Sequence, residues 1–259
     1  MYPVNAESTE FKKYVELGAY HWSATYAVPP WRSSPRMHAL YDLALDCVER
    51  KAGVPLRNLA GLDVGCGDGV LIYKIMLRAG RVVGLDLTLA GLTLARQEIA
   101  VRTQEAPCLI AGSSYRLPLL NATVDFVVST ETIEHLAHPQ EYLDEIVRVL
   151  KPGGVFICTT PRRRSEYVQD PYHVREYSAE DLNFVLSSVF TKVEVLGIYP
   201  VWLDRVYMLR CPRLFGRGIR FVIKIMARWY NPFRNFVLSS PYANQPCDKL
   251  IGMGCKPAV

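Results

Sequence analysis

Short apolar runs alternate with amphipathic stretches through the middle of the chain, from about residue 59 to residue 197. The apolar runs are rich in Val, Ile and Leu, which is typical of strands buried in a parallel sheet. The predicted strands are Leu59–Val64, Arg81–Leu85, Cys108–Ala111, Val124–Ser129, Val155–Thr159, Lys192–Gly197 and Lys249–Cys255. Helical periodicity is found between them, near residues 70–79, 89–102, 139–150 and 179–188. This alternation predicts an α/β fold with a doubly wound, mostly parallel sheet.

Two regions fall outside the alternation. The first begins with an aromatic-rich lead and continues into a predicted helix from about Pro35 to Arg50. The second is rich in Arg, aromatic residues and Pro, and it precedes the last strand, which we expect to close the sheet at its edge. The predicted division is a helical lid in residues 1–55, a cofactor-binding core in 56–199, an insertion in 200–246 and a closing strand in 247–259.

The most informative stretch joins the first predicted strand to the first helix of the core. Gly65, Gly67 and Gly69 form a Gly-x-Gly-x-Gly pattern, and glycine lets a backbone turn tightly and approach a ligand closely. At the tip of the second strand, Asp86 can accept hydrogen bonds from both hydroxyls of a ribose. A dehydrogenase is the competing interpretation, but its Gly-x-Gly-x-x-Gly spacing is not found here. The pattern favours a nucleoside-containing cofactor at this end of the sheet.

These motifs resemble those of the class I S-adenosylmethionine-dependent methyltransferases, over about residues 59–197. Leu117-Pro118 followed by Val124–Val128 is similar to the family's fourth-strand signature, and Leu150–Gly154 is similar to its turn before the fifth strand. The resemblance implies a Rossmann-like, mostly parallel sheet of seven strands with an antiparallel last strand. It also implies S-adenosylmethionine as the cofactor and methyl transfer as the activity.

On this resemblance, the cofactor site is expected after the first four strands. Asp63 matches an acidic position that is usually tied to the amino-acid end of the cofactor. Many relatives have Gly-Asp after the third strand, whereas here Gly112 is followed by serine, so a hydroxyl or a backbone carbonyl must bind the adenine. The predicted cofactor-binding residues are Asp63, Gly65, Cys66, Gly67, Gly69, Asp86, Leu87, Ser113, Ser114, Ser129 and Thr130.

The methyl acceptor is predicted to bind after the fourth and fifth strands, because ligands bind at the carboxyl edge of such a sheet. Glu131, Glu134 and His135 form a Glu-x-x-Glu-His pattern after the fourth strand, and His173 follows the fifth. On one helical turn the first three side chains would face the same direction. The predicted catalytic residues are Glu134, His135 and His173.

Two roles remain open for this set. The carboxylates of Glu131 and Glu134 and the imidazoles of His135 and His173 could converge on one divalent ion such as Mg²⁺, Mn²⁺, Fe²⁺ or Zn²⁺. That arrangement resembles the metal-assisted O-methyltransferases of ubiquinone synthesis and of small-RNA 3′-ends, in which the ion lowers the pKa of a hydroxyl. Alternatively, Glu134 is structural and His135 lines the pocket or acts as a base without a metal ion.

Positive charge is concentrated in the C-terminal part of the chain. The net charge is +5, and Lys and Arg outnumber Asp and Glu by 15 to 8 within residues 162–259. The insertion carries a predicted helix with a broad apolar arc, which either packs on the core or lies at an anionic membrane surface. The basic stripe of this helix consists of Arg210, Arg213, Arg217, Arg220, Lys224 and Arg228.

Composition restricts the cellular setting. The longest apolar run is shorter than the roughly 18 residues that a membrane span needs, and no basic start precedes an apolar stretch at the N-terminus. Seven cysteines without a CxxC pair are typical of reduced thiols. We therefore expect a cytoplasmic location, with peripheral contact at a membrane as an alternative.

The combined expectation is O-methylation of a small or lipid-linked acceptor, such as a glycan or glycolipid hydroxyl. Metal-assisted 2′-O-methylation of an RNA 3′-end and C- or N-methylation of a small metabolite remain alternatives. Nucleic acid is the less favoured partner, because the basic residues are accompanied by bulky aliphatic side chains rather than stacking aromatics. A non-catalytic cofactor-binding role is disfavoured by the intact glycine loop and Asp86.

Overall fold

A mixed sheet with helices on both faces organises the part of the chain that the computed structural model describes, namely residues 12–26, 33–78, 80–164, 168, 170–200, 237–238 and 247–258. The strands are β1 (Ala60–Val64), β2 (Arg81–Asp86), β3 (Cys108–Ala111), β4 (Val124–Thr130), β5 (Leu150–Pro161), β6 (Thr191–Pro200), β7 (Val237–Leu238) and β8 (Cys247–Cys255). The helices are α1 (Lys13–Leu17), α2 (Tyr20–Thr25), α3 (Pro35–Ala52), α4 (Val70–Leu77), α5 (Leu89–Thr103), α6 (Pro139–Val149) and α7 (Ala179–Ser187). The predicted α/β class is confirmed, and each predicted strand is found.

The strands lie in the order β3-β2-β1-β4-β5-β8-β6-β7, and β1 to β5 are mutually parallel where they pair. The order reverses between β1 and β4, which opens a crevice at the carboxyl edge of the sheet. The expected edge position of the last strand is wrong. β8 is antiparallel and lies between β5 and β6, and it pairs with both along most of its length. Its residues Leu250, Ile251 and Met253 are buried, which is why the strand belongs inside the sheet.

Two apolar layers enclose the sheet. Side chains alternate along each strand, so in β4 Phe126 and Val128 face one layer and Val127 faces the other. The first layer is formed with α3, α4 and α5, and the second with α6 and α7. α3 therefore packs into the core, although it lies within the segment expected to form a lid, while α1 and α2 approach the carboxyl edge.

The fifth strand begins earlier than expected. The segment Leu150–Gly154 was predicted as a turn, but β5 already pairs at Leu150, opposite Val124, before its register shifts. Gly153 has a φ of 75°, so the turn geometry is present as an irregularity within the strand.

The predicted basic helix of the insertion lies outside the described residues. From residues 200–246 the structure describes Pro200, which ends β6, and β7, which extends the sheet beside β6. Among the helices of the described ranges, none combines the length and the apolar character that crossing a bilayer requires.

Candidate functional site

The loop between β1 and α4 is shaped by glycine. Gly65, Gly67 and Gly69 have φ values of 76°, 53° and 84°, in the left-handed region that other residues avoid. Space also excludes a side chain here, because a Cβ on Gly65 would overlap Thr132 and one on Gly67 would overlap the Tyr14 hydroxyl. The loop is therefore held against two neighbours that come from distant parts of the chain.

Asp86 ends β2 beneath this loop, and its carboxylate is nearly buried, with 8% exposed. One oxygen accepts a hydrogen bond from the Gly67 amide at 2.8 Å, and the other accepts bonds from the amide and hydroxyl of Thr88 at 2.8 Å and 2.6 Å. Asp86 thus braces the glycine loop, a role that the sequence did not indicate.

Asp63 lies at the end of β1, just before the same loop, and only 1% of the residue is exposed. Within the described part of the chain, neither carboxylate oxygen has a hydrogen-bond partner. Burial, followed by the negative charge of Asp86, raises the pKa of Asp63 well above its usual value. A buried carboxylate without partners is costly, so this position is suited to a cationic or hydrogen-bonding ligand. We refer to Asp63, the three glycines and Asp86 as the donor side.

Residues 12–26, which contain α1 and α2, form a strap across the donor side. The buried Asp68 carboxylate accepts hydrogen bonds from the His21 amide at 3.0 Å and faces the His21 ring nitrogen Nδ1 at 3.1 Å. Trp22 donates from its indole to the Asp68 carbonyl. The strap also brings Tyr14 onto Gly67, so it covers the glycine loop directly.

The strap reaches the loop after β5 as well. Lys13 forms an ion pair with Asp170 at 2.9 Å, and its ammonium lies 4.8 Å from the centre of the Tyr172 ring. Both partners belong to the segment that follows β5. One short stretch of chain therefore contacts the glycine loop and the loop that was predicted to bind the acceptor.

Glu134 and His135 lie on a short 3₁₀ turn, Ile133–His135, after β4. The amides of Val174 and Arg175 both donate to the Glu134 carbonyl, at 2.8 Å and 3.1 Å, which brings His173 alongside. The rings of His135 and His173 are 5.0 Å apart between centroids. Ligand atoms of Glu134, His135 and His173 all lie within 4.8 Å of one another. We refer to these three residues as the acceptor side.

Hydrogen bonding and burial determine the tautomer and the protonation of the His135 ring. Its Nδ1 atom lies 2.7 Å from the Tyr172 carbonyl oxygen, and a carbonyl can only accept, so Nδ1 carries the proton. Burial lowers the pKa of the ring below its usual value; the Tyr172 carbonyl opposes this effect, while nearby His173 adds to it. The neutral ring with a basic Nε2 is thus the favoured form of His135.

Glu134 is completely buried. One carboxylate oxygen accepts a hydrogen bond from the Thr160 hydroxyl at 3.0 Å, and the other, Oε1, has no hydrogen-bond partner among the residues that the structure describes. Burial and then the charge of Glu131 raise the pKa of Glu134 well above its usual value. A cation or a hydrogen-bond donor placed beside this carboxyl group would therefore stabilise its ionised form.

The structure does not bring Glu131 into the acceptor side. Glu131 forms an ion pair with Lys249 of β8 and accepts a hydrogen bond from the Thr159 hydroxyl at 3.0 Å. Glu131 precedes the turn that begins at Ile133, and its φ of 54° is not a helical value. The assumption of one shared helical turn is therefore wrong. Three of the four predicted metal-binding residues are together, and Glu131 instead links β4 to β8.

Comparison with known proteins assigns the family. A family model described as a methyltransferase domain matches residues 62–158. A probable S-adenosylmethionine-dependent methyltransferase of Mycolicibacterium smegmatis is 35% identical over 147 residues, covering 53% of this chain and 54% of that protein. A ubiquinone biosynthesis O-methyltransferase of Aromatoleum aromaticum is 28% identical over 166 residues, covering 64% of this chain and 68% of that protein. Residues 62–158 of this chain are thus a methyltransferase domain, and the chain is similar to S-adenosylmethionine-dependent methyltransferases.

The fold agrees with this assignment. The crystal structure of Haemonchus contortus phosphoethanolamine N-methyltransferase 2 in complex with S-adenosylmethionine matches with a TM-score of 0.63 at 14% identity, covering 96% of this chain and 59% of that one. At that identity the match concerns the fold alone. The chain spans about half to two thirds of the length of the curated relatives that it matches.

The donor side of this methyltransferase fits S-adenosylmethionine. The unpartnered carboxylate of Asp63 is matched to the ammonium at the amino-acid end of the cofactor. The glycine loop leaves room for close approach where any Cβ would intrude, and Asp86 ends β2 beside it. Bound at this position, the cofactor supplies an electrophilic methyl group on a sulfonium.

The remaining predicted cofactor residues occupy varied positions. Ser129 is buried, and its hydroxyl donates to the Val64 carbonyl at 2.7 Å, so its side chain joins β4 to β1. The Cys66 thiol is also buried, which raises its pKa, whereas Leu87 is 76% exposed. Half-buried positions beside the carboxyl edge are occupied by Ser113, Ser114 and Thr130.

Proposed function

We propose that this methyltransferase transfers a methyl group to a hydroxyl of a small or lipid-linked acceptor, such as a glycan or glycolipid. The observation that carries the proposal is the environment of His135. Nδ1 donates to a carbonyl, and burial lowers the pKa of the ring. Near neutral pH, Nε2 is therefore unprotonated and can accept a proton as a base. A hydroxyl needs such a base when it attacks a methyl carbon, whereas an amine in its neutral form does not.

The proton transfer can be written for His135 alone. As the acceptor oxygen forms its bond to the methyl carbon, Nε2 of His135 receives the hydroxyl proton and the ring becomes an imidazolium. The carbon–sulfur bond breaks at the same time, and the electron pair remains on sulfur. Glu134 and His173, with ligand atoms within 4.8 Å of those of His135, place a carboxyl group and a second ring near the imidazolium.

Mass spectrometry and NMR of the product test the hydroxyl acceptor. The protein is incubated with S-adenosylmethionine carrying a ¹³C-methyl group and with separate pools of phenols, sugars, glycolipids, amines and short RNAs. We expect the labelled carbon to resonate as an O-methyl group in a product from the phenol, sugar or lipid pools. Label found only on nitrogen or carbon would contradict the proposal, and label only on RNA 3′-ends would favour the RNA alternative.

A divalent metal ion is a second candidate feature of this site. It is supported by the unpartnered Oε1 of the buried Glu134 and by the closeness of the His135 and His173 ligand atoms. Such an ion would lower the pKa of the acceptor hydroxyl. The donor set of one carboxylate and two imidazoles suits Mn²⁺, Fe²⁺ or Zn²⁺ better than Mg²⁺.

Calorimetric titration of the chelator-treated protein with Mn²⁺ and Zn²⁺ distinguishes the two mechanisms. With a metal site, binding is saturable in wild type and lost in Glu134→Gln. Glu141→Gln serves as the matched variant, because the exposed Glu141 lies outside the cluster, and it should bind as wild type does. Full turnover in EDTA together with no saturable binding would leave His135 as a base without a metal ion.

The lipid-linked form of the acceptor rests on two supporting observations. Relatives of this chain are named ubiquinone biosynthesis O-methyltransferases, and the C-terminal part of the chain is strongly basic. An anionic membrane surface would then be a partner at which the protein docks peripherally. Flotation with vesicles of phosphatidylcholine alone or with phosphatidylglycerol added tests this; equal recovery with both would contradict a role for charge.

A further inference from the structure

His173 is followed three positions later by a buried acidic residue, Glu176. His173 is a partly covered ring with 10% of its side chain exposed, and Glu176 has 8% exposed. The ring nitrogen Nδ1 of His173 lies 3.2 Å from Oε1 of Glu176. A carboxylate can only accept a hydrogen bond, so this contact places the ring proton of a neutral His173 on Nδ1 and leaves Nε2 with the lone pair.

The backbone holds this pair in place from both ends. The amide of His173 donates to the Asp170 carbonyl at 3.0 Å, and the amides of the next two residues donate to Glu134. On the other side of Glu176, the carbonyl of the buried Tyr177 accepts a hydrogen bond from the Arg163 amide at 2.8 Å. Glu176 therefore lies on a fixed segment between the acceptor side and the end of β5.

A second carboxylate lies near His173 but does not replace this contact. Asp170 approaches Nε2 of His173 at 3.9 Å, which is beyond hydrogen-bonding distance. Asp170 instead pairs with Lys13 at 2.9 Å and accepts a hydrogen bond from the Tyr172 amide at 2.9 Å. Glu176 is thus the carboxylate that hydrogen-bonds the His173 ring.

A second histidine–glutamate pair in the chain has the same spacing and shows how such a pair behaves when it is exposed. His138 and Glu141 are also three residues apart, but their side chains are 66% and 65% exposed, and the closest nitrogen–oxygen distance is 3.9 Å. Exposed pairs of this kind contribute little to orientation or stability. The difference between the two pairs is burial and backbone anchoring, both of which Glu176 has.

We propose that Glu176 is a positioning residue, which fixes the ring orientation and the tautomer of His173 at the acceptor side. The inference rests on the proposed function in one respect, that His173 serves the reaction. A carboxylate that orients an imidazole in this way raises the basicity of its other nitrogen, whether that nitrogen meets a metal ion or the acceptor.

Nitrogen-15 NMR of the histidine rings tests the orienting contact without any assay of turnover. The chain has five histidines, so a His173→Gln variant assigns the His173 ring signals. At a pH where the rings are neutral, we expect the Nδ1–H tautomer for His173 in wild type and in Glu176→Gln, whose amide oxygen still accepts. In Glu176→Ala the ring should shift toward the Nε2–H tautomer that free histidine prefers.

Kinetics complete the test. We expect kcat of Glu176→Ala to fall about 10-fold or more, as for other groups that orient a functional histidine, with the KM for S-adenosylmethionine unchanged. Glu176→Gln should retain most of the activity, and Glu141→Ala, the exposed counterpart, should match wild type in both measurements. An Nε2–H ring in wild type, or the same tautomer in Glu176→Ala, would overturn the proposal. A tautomer change with unaltered kcat would keep the orienting contact but remove His173 from the reaction.

Discussion

The donor and acceptor sides are built from the chain in different ways. On the donor side, the Asp86 carboxylate binds the Gly67 amide across a separation of 19 residues, within one β1–α4–β2 unit. On the acceptor side, the His135 ring meets the Tyr172 carbonyl 37 residues away, and Lys13 meets Asp170 across 157 residues. The residues of the first site therefore come from a local motif, against which Tyr14 and Thr132 pack from remote segments, whereas the second site brings together side chains of two remote segments.

The difference teaches where each chemical property comes from. Cofactor binding depends on backbone conformation, because the positive φ values of three glycines shape the loop. In the proposed function, acceptor chemistry depends on buried side chains that are oriented by backbone groups of other segments. Substitutions should accordingly separate the two functions.

The largest separation is expected from His135→Gln. Loss of the base should lower kcat by about 10²- to 10⁴-fold, while the Kd for S-adenosylmethionine stays unchanged because His135 lies on the acceptor side. Single-turnover kinetics and calorimetry measure the two quantities. His138→Gln, at a largely exposed histidine nearby in the sequence, is the matched control and should behave as wild type. Equal losses in cofactor affinity would mean that the two sides are not separable.

The converse separation is expected from Asp63→Asn. Removing the charge that faces the cofactor ammonium costs about 1.5–3 kcal/mol, so Kd for S-adenosylmethionine should rise roughly 10- to 150-fold. Asp125→Asn is the control, since Asp125 is paired with Lys151 elsewhere in the sheet. Calorimetry on both variants measures the effect, and an unchanged Kd for Asp63→Asn would remove this residue from the donor side.

The raised pKa of Asp63 also predicts how the stability of the protein depends on pH. The folded-state pKa of Asp63 is raised, so the folded protein holds its proton more tightly than the unfolded chain does. Stability without cofactor should therefore fall as pH rises from the ordinary range of an aspartate toward the raised pKa, by up to about 1.4 kcal/mol per pH unit. Urea unfolding at a series of pH values should show a shallower decline for Asp63→Asn. An identical slope in both proteins would exclude the buried carboxylate as its source.

The smallest effect is expected from Lys13→Met, which breaks the ion pair between the strap and Asp170. A partly exposed ion pair contributes about 1 kcal/mol at most, so the acceptor KM should rise no more than about fivefold. Lys192→Met removes an exposed charge in β6, outside the strap, and is the control. A change confined to cofactor affinity would show that the strap serves the donor side alone.

The sequence predicted the glycine loop and the strand ends of the donor side, because their determinants are local. Glycine spacing after a strand and an acid at the next strand end are visible without any knowledge of packing. Strand positions were also recovered, since β-branched runs buried on both faces have a distinctive pattern. The sequence did not predict the hydrogen bond from the Gly67 amide to Asp86. A carboxylate at that position could bind the ribose hydroxyls or a backbone amide, and the sequence does not distinguish the two.

The acceptor side was only partly predictable. Glu131 was grouped with Glu134 on the assumption of one helical turn, and its left-handed backbone conformation and its partner Lys249 could not be read from spacing. Asp68 and Glu176 were missed because nothing in the neighbouring sequence distinguishes a buried carboxylate from an exposed one. For Glu176, the Glu three residues after a histidine was a usable signal, but the exposed pair His138 and Glu141 has the same spacing.

The place of β8 inside the sheet has a consequence for the newly made chain. β6 pairs with β8 and not directly with β5, so the order of synthesis leaves β5 and β6 without the strand that joins them until Cys247–Cys255 has left the ribosome. During that interval β5 presents an open strand edge, rich in buried-type residues such as Phe156 and Ile157, to other nascent chains. Folding of the catalytic domain is thereby tied to a late segment, and this is the stage at which chaperone dependence should be greatest.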